Sequence, residues 1–235
     1  MSLYRRTEAI VLKNNPFQEA DLIVTFLTLD YGIINAIAKS SRKIKSRFGS
    51  SLEPFTYSKV AFVGKEDVRL PRLTQSDIIT SFHGLRENLS DLMDASEMAG
   101  ITLMLLPEAE VNKKAFSLLM TSLHMLDKKH STVPPVMLYK IRLLDIAGYS
   151  PSLKCVKCKK QVDGFYMEGA MLCNACVRAY NQISVLSPLS SGAIKLYESL
   201  RLWDIQKMSR IKPSVSMLLE LKELIKTHIQ YIASP

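Results

Sequence analysis

All four cysteines of this 235-residue chain stand in one short window, as Cys155-x2-Cys158, fourteen residues, then Cys173-x2-Cys176. Two residues between cysteines let a tight turn point both sulfurs at one ion. Two such turns complete a tetrahedral set of thiolates. The stretch between the pairs carries Asp163-Gly164 and Glu168-Gly169, which suit the turns of a small ribbon. A disulfide pair and an iron–sulfur cluster compete for the same residues. The first is disfavoured in a reducing compartment, and the second usually shows other spacings. The spacing therefore points to zinc. A catalytic zinc keeps a coordination position for water. Four thiolates close that shell, and no histidine lies inside the ribbon, His130 being the nearest. The expected role is structural: the ion folds a segment too short to fold itself. Lys154, Lys157, Lys159 and Lys160 crowd the first pair, so the metal also fixes a basic knob.

Hydrophobic residues at 47% are enough to build a real core, which argues against wholesale disorder. No apolar run reaches the roughly 18 residues a membrane-spanning helix needs. The N-terminal MSLYRRTEAIVLKNN holds only a few apolar residues before charges return, which does not read as a secretory signal. The expected compartment is the cytoplasm, with no membrane partner. A formal net charge of +9 directs attention to polyanions.

The first 80 residues read as β-structure. Ala9–Leu12, Leu22–Leu27, Ile33–Ala38, Phe55–Val63 and Val68–Ile79 are short runs rich in Ile, Val, Thr and Phe. Turn residues such as Asn14-Asn15-Pro16, Asp30-Tyr31-Gly32 and Gly64-Lys65-Glu66-Asp67 bound them. Five strands with no helix between them fit a small barrel. From Phe82 the period becomes helical, with Leu85, Leu89, Leu92, Met93 and Leu103 to Leu106 in one helix that Pro107 stops. Further helices are expected over Lys113–Leu126, from Pro134-Pro135 to Gly148, over Ser190–Leu200 and from Pro213 onward. The last presents Val215, Leu218, Leu219, Ile225, Ile229 and Ile232 as an apolar stripe. The expected organisation is α+β and multidomain. Residues 1–81 form an OB-type β-barrel and 82–235 a helical domain, with a zinc-binding insertion at 153–179.

Lys39, Arg42, Lys43, Lys45 and Arg47 fall within nine residues that hold no acid and are set among serines and glycine. Small polar residues and cations make a loop that can lie along a phosphate backbone, and OB barrels bind strands with their loops and exposed face. Phe17, Tyr31 and Phe48 are candidate stacking aromatics or core residues. No glycine-rich phosphate loop or nucleophile elbow is present, and His83, His124, His130 and His228 are scattered. Glu19 and Asp21 precede a strand, where a turn role competes with a nuclease metal site. The chain reads as a non-enzyme with no small-molecule substrate.

The residues also carry a resemblance. Glu8-Ala-Ile-Val-Leu12, Glu19 to Thr28, Gly32, Ala38-Lys39, Arg42-Lys43, Ser46-Arg47 and Leu52-Glu-Pro-Phe55 resemble the N-terminal domain of the RecO family of bacterial recombination mediators. Leu143-Leu144, Gly148-Tyr149-x-Pro151 and Cys155-x2-Cys158 continue it in the same order. Ser40 departs from it, since a glycine is expected after Ala-Lys. The resemblance implies an OB fold followed by a helical domain with a zinc ribbon. It implies binding of single- and double-stranded DNA, annealing of complementary strands and, with RecR, loading of RecA onto SSB-coated single strands. It also implies docking of the acidic C-terminal tail of SSB, for which Lys140 and Arg142 are the candidate cations. The competing expectation is a protein-interaction scaffold whose contact with DNA is incidental.

Overall fold

The computed structural model describes residues 3–65, 70–128, 133–167, 169–178, 187–204 and 212–234. The chain divides into two compact units, Met1–His130 and Ser131–Pro235.

The first unit opens with strands β1 (Leu3–Phe17), β2 (Asp21–Thr28), β3 (Gly32–Ala38), β4 (Tyr57–Gly64) and β5 (Arg72–Thr80). They close into a barrel in the order β1-β2-β3-β5-β4. This is the OB-like five-stranded arrangement read from the strand pattern. Closure depends on one long strand. The second half of β1 pairs with β2 and its first half with β4, and a bulge between Val11 and Lys13 bends it from one neighbour to the other. The β3–β5 contact is a single parallel pair, Ile37 with Arg72. The turn expected at Gly64–Asp67, and the start of the returning strand at Val68, fall partly outside the described residues.

Alternation fills the barrel. Ala9 and Val11, Val24 and Phe26, Ala36 and Ala38, and Val60 and Phe62 point inward at two-residue spacing. The alanines leave room for Phe26 and Phe62, which meet edge to face at 5.7 Å. That geometry adds about 0.5–1.5 kcal/mol beyond the area buried. Phe48 and Leu52, from the segment between β3 and β4, plug the same core at 3% exposure each. Of the three aromatic candidates, Phe48 is therefore core. Phe17 and Tyr31 stay half-buried, and Arg5 lies 5.6 Å from the Tyr31 ring.

The helical period begins at residue 83, but as two helices rather than one. Helix α1 (His83–Glu87) ends at Asn88, which leaves the helical conformation, and α2 (Leu89–Leu105) starts there. The Asn88 side chain accepts from the N–H groups of Ser90 and Asp91, an N-cap that divides the run expected from leucine periodicity to be one helix. Helix α3 (Lys113–Lys128) completes the unit. These helices are built onto the barrel. Arg86 donates to Pro54 O and Thr56 Oγ1 and pairs with Glu53. The α2–α3 connection bridges to β3 at Ile33–Glu108, with Ala109 N–H donating to Ile33 O at 3.0 Å. Gly32 (φ +69°) permits this approach, because a Cβ there would lie 2.2 Å from Glu110 O. The compact unit therefore runs past the strand-to-helix change at 82.

In the second unit, α4 (Pro135–Ile146) ends at Gly148 (φ +79°) as expected. The ribbon is β6 (Gly164–Met167) and β7 (Ala170–Cys173), followed by the one-turn helix α5 (Asn174–Val177). A third strand, β8 (Ser187–Leu189), pairs with β6, giving the order β7-β6-β8. Helices α6 (Ser191–Leu202) and α7 (Val215–Ala233) follow. The buried stripe of α7 is Leu221, Leu224, Ile225 and His228, whereas Val215 is 74% and Leu219 60% exposed. Apolar residues at helical spacing fit two stripes here, and packing selects the one that carries the histidine. Among the described residues no helix is long and apolar enough to cross a membrane.

Candidate metal centre and nucleic-acid interface

Each cysteine pair is shaped by its own local structure. In the first, Lys159 N–H donates to Cys155 O at 2.8 Å and Cys155 N–H donates to Lys160 O at 2.9 Å, closing a tight turn. Lys159 completes it with φ +61°, in the left-handed region that favours glycine. Val156 N–H donates to Met171 O and ties the turn to β7. In the second pair, Cys173 ends β7 and Cys176 lies three residues on in α5, so one helical turn brings both to the same side.

The four ligand sulfurs all lie within 4.8 Å of one another, and the Sγ atoms of Cys158 and Cys173 are 3.7 Å apart. Sulfurs at about 2.3 Å from a tetrahedral ion would be separated by about 3.8 Å. The donor set therefore fits a metal ion, and all four cysteines are free thiols. Backbone N–H groups of Cys158 and Cys173 lower the Cys155 thiol to about 6, and that of Cys176 lowers Cys173. Cys176 moves the other way, up to about 12, because it hydrogen-bonds to Cys173 and is desolvated. A metal entering the site must therefore displace the Cys176 proton, so its affinity should rise with pH.

The ribbon is braced from behind. Tyr166 on β6 donates to His228 Nδ1 at 2.5 Å, and His228 Nε2–H donates to Tyr149 O at 2.6 Å. His228 is thus a buried histidine with both ring nitrogens partnered. Asp163 accepts from Ser191 N–H at 2.5 Å, a bond that holds its carboxyl below the usual range.

Lys39, Arg42, Lys43, Lys45 and Arg47 are all exposed on the segment joining β3 to β4. Among the described residues no carboxylate forms an ion pair with any of them. Their backbone is nonetheless fixed. Ser40 N–H donates to Asp21 Oδ1 at 2.7 Å, Arg42 N–H to Ala20 O and Ser46 N–H to Lys43 O. Arg47 lies 4.8 Å over the Phe48 ring and donates to Leu73 O. Ile44 between them is fully exposed. Ser40 takes φ +55°, so the serine that departs from the family pattern adopts the backbone of the expected glycine. Of the two roles read for Asp21, the structure shows a local, turn-type one: its carboxylate anchors this loop by accepting from Ser40 N–H. Among the described residues the four cysteines are the one group of three or more ligand-type side chains close enough to hold a metal.

Arg142 is half-buried. Its Nε donates to Leu200 O at 3.0 Å and its Nη2 to Trp203 O. Burial lowers its pKa. It satisfies the final carbonyls of α6, while Lys140, two residues earlier on α4, is partly exposed.

Comparison with known proteins settles the family. Residues 1–82 match the family model for the N terminus of recombination protein O, and residues 86–233 match that for its C terminus. The chain belongs to the RecO family. The DNA repair protein RecO of Thermodesulfovibrio yellowstonii is 40% identical over 97% of this chain and 92% of its own length. RecO of Dehalococcoides mccartyi is 31% identical over 97% and 90%, and that of Syntrophus aciditrophicus 30% over 97% and 90%. The chain is thus a RecO-family DNA repair protein. The RecO models divide at 82–86, where strand gives way to helix, whereas the compact unit continues to His130.

Proposed function

We propose that this chain is a non-enzymatic mediator of recombinational repair. It binds single- and double-stranded DNA through the barrel, anneals complementary strands and, with RecR, helps RecA onto SSB-coated single strands. The observation that carries this reading is the loop of Lys39, Arg42, Lys43, Lys45 and Arg47: five exposed cations on a backbone anchored by Asp21, Phe48 and Leu52. Cations held in register along a strand neutralise phosphates without reading bases. Two strands so neutralised repel each other less, which favours annealing. Family membership supports the repair role, and the cytoplasm at the nucleoid is where it would act.

Zinc is the ion we assign to Cys155, Cys158, Cys173 and Cys176, with a structural part. It would supply four bonds that hold the ribbon, while the protein holds the thiolates and braces β6 through His228. For the acidic tail of SSB we assign Lys140 and Arg142, both on α4.

The test is binding of an oligonucleotide across a salt series. Each phosphate contact on single-stranded DNA contributes about 0.7 log units of affinity per log unit of salt. Replacing Arg42, Lys43, Lys45 and Arg47 with alanine should flatten the slope by about 2 to 3. An unchanged slope removes the loop from the interface. A scaffold with incidental DNA contact would instead bind weakly and anneal no faster than the strands alone.

A further inference from the structure

We infer that a cavity on the barrel, bounded by β1, β4, β5 and the β2–β3 turn, receives one unpaired base of a single strand and prefers bases that carry an exocyclic amine. This rests on the proposed DNA-binding function and adds to it a base-reading site made of residues other than the cationic loop.

The cavity holds about 360 Å³, within the roughly 300–1,000 Å³ of small-ligand sites. Its charged lining is Arg6, Glu8, Asp30, Lys59 and Asp77. Strand pairing assembles it, since Glu8 stands opposite Lys59 across β1 and β4, and Lys59 opposite Asp77 across β4 and β5. A neutral donor holds each carboxylate. Thr7 donates to Asp30 Oδ2 at 2.8 Å, Gln75 Nε2 to Asp77 Oδ2 at 2.6 Å, and the Tyr57 hydroxyl to Glu8 Oε2. Among the described residues none of the three forms an ion pair, with Arg6, with Lys59 or with any other cation. The second oxygen of each has no protein partner among those residues.

The balance of charge selects the guest. A cationic side chain would meet Arg6 and Lys59, and an anion would meet three carboxylates. A neutral planar base meets neither cost. Carboxylates only accept, so they favour a base edge with an amine, as in cytosine or adenine. Thymine has carbonyls on either side of its one N–H and is disfavoured. In a duplex these edges are already paired, so the site takes single strands. The two cations are then left for the flanking phosphates. A separate feature of β1 points to the same ligand. Tyr4 is 52% exposed, with the Arg6 guanidinium 5.1 Å from its ring and Arg6 Nε donating to its hydroxyl at 3.1 Å. An exposed aromatic steadied by a cation is a stacking surface for a neighbouring base.

The experiment uses the full-length chain with labelled oligodeoxycytidylate and oligodeoxythymidylate of equal length, and reads anisotropy at one salt concentration. The readout is the ratio of the two affinities, which a change of net charge alone does not move. The parent should bind the cytosine strand about fivefold to tenfold tighter. Asp77→Ala with Gln75→Ala, and separately Asp30→Ala, should bring the ratio close to one. Arg6→Gln with Lys59→Gln should weaken both strands and keep the ratio. Tyr4→Ala should weaken both by about fivefold and also keep it. If an alanine variant fails to fold, Asp77→Asn and Asp30→Asn carry the test, with the ratio at least halved because a neutral acceptor is the weaker one. A parent ratio near one, with the barrel-loop variant still showing its flatter salt slope, overturns this inference and leaves the proposed function standing. A parent preference that the cavity variants retain overturns it too, by placing base reading elsewhere. A parent chain that binds weakly with little salt response overturns both. Loss of binding to a labelled arginine-rich peptide in the cavity variants, with the ratio unchanged, overturns it in favour of a cationic side chain from a protein partner.

Discussion

Ser40 holds a positive φ with its N–H on Asp21, one of the bonds that fix the backbone carrying the cations that follow. A non-glycine residue in this region costs roughly 1 kcal/mol, and glycine would give back a similar amount as unfolded-chain entropy. Ser40→Gly should therefore leave thermal stability and DNA affinity near the parent values. Ser40→Val, with a branched Cβ, should lower both, and a Ser40→Val chain that binds DNA normally would show that the loop's conformation is irrelevant. The glycine expected at 40 was legible as a family pattern, but Asp21 was not, because its partner is a backbone group nineteen residues away. His228 makes a second argument at this scale. Burial lowers its pKa, and both ring nitrogens serve as partners in the neutral form. As pH falls, the unfolded chain takes up the proton first, so this site's stability is complete above the ordinary histidine value of about 6.5 and declines below it. A His228→Gln chain, which keeps one bond at best, should be less stable at pH 7.5 by about 1–3 kcal/mol. Measured by thermal unfolding, that deficit should narrow toward pH 5.5. A constant deficit would mean that the histidine does not titrate in this range.

At the level of elements, the ribbon and the barrel were legible for different reasons. The ribbon declared itself through ligand spacing, which needs no tertiary context. The barrel strands declared themselves by alternation, but only where one face is apolar. The start of β1, Leu3–Thr7, reads Leu-Tyr-Arg-Arg-Thr and is a strand only because β4 pairs with it. β8 is three residues with Pro188 in the middle, too short for any periodicity, and exists by pairing with β6. The apolar stripe of α7 was ambiguous until His228 found Tyr166. These elements differ in what holds them, so metal removal should separate them. Chelation should abolish hydrogen-exchange protection in β6 and β7 while β1 to β5 keep theirs. Equal loss in both units would show that the ion supports the whole chain.

For the whole molecule, the barrel and helices α1 to α3 form one compact unit. Segment 108–110 covers the upper edge of β3, Arg86 ties α1 to the β4 approach, and Phe116 packs edge to face on Tyr57 at 6.2 Å. An uncovered strand edge is a template for association. A fragment of residues 1–81 should therefore aggregate, and one of residues 1–130 should stay monomeric and unfold cooperatively. Size-exclusion chromatography with thermal melts decides between them, and a monomeric, stable 1–81 fragment would show that the helices are dispensable. The long bent strand β1 also has a history built into it. Its second half meets β2 across a three-residue turn, but its first half must find β4 across about sixty residues of chain, Leu3 to Gly64. Loop-closure entropy grows only as the logarithm of length, about 0.6 kcal/mol per doubling, so the distant pairing is affordable but slow to find. Assembly thus proceeds along β1 from its C-terminal end toward its N-terminal end, and the bulge beyond Val11 lies beside the join between the early and the late stretch.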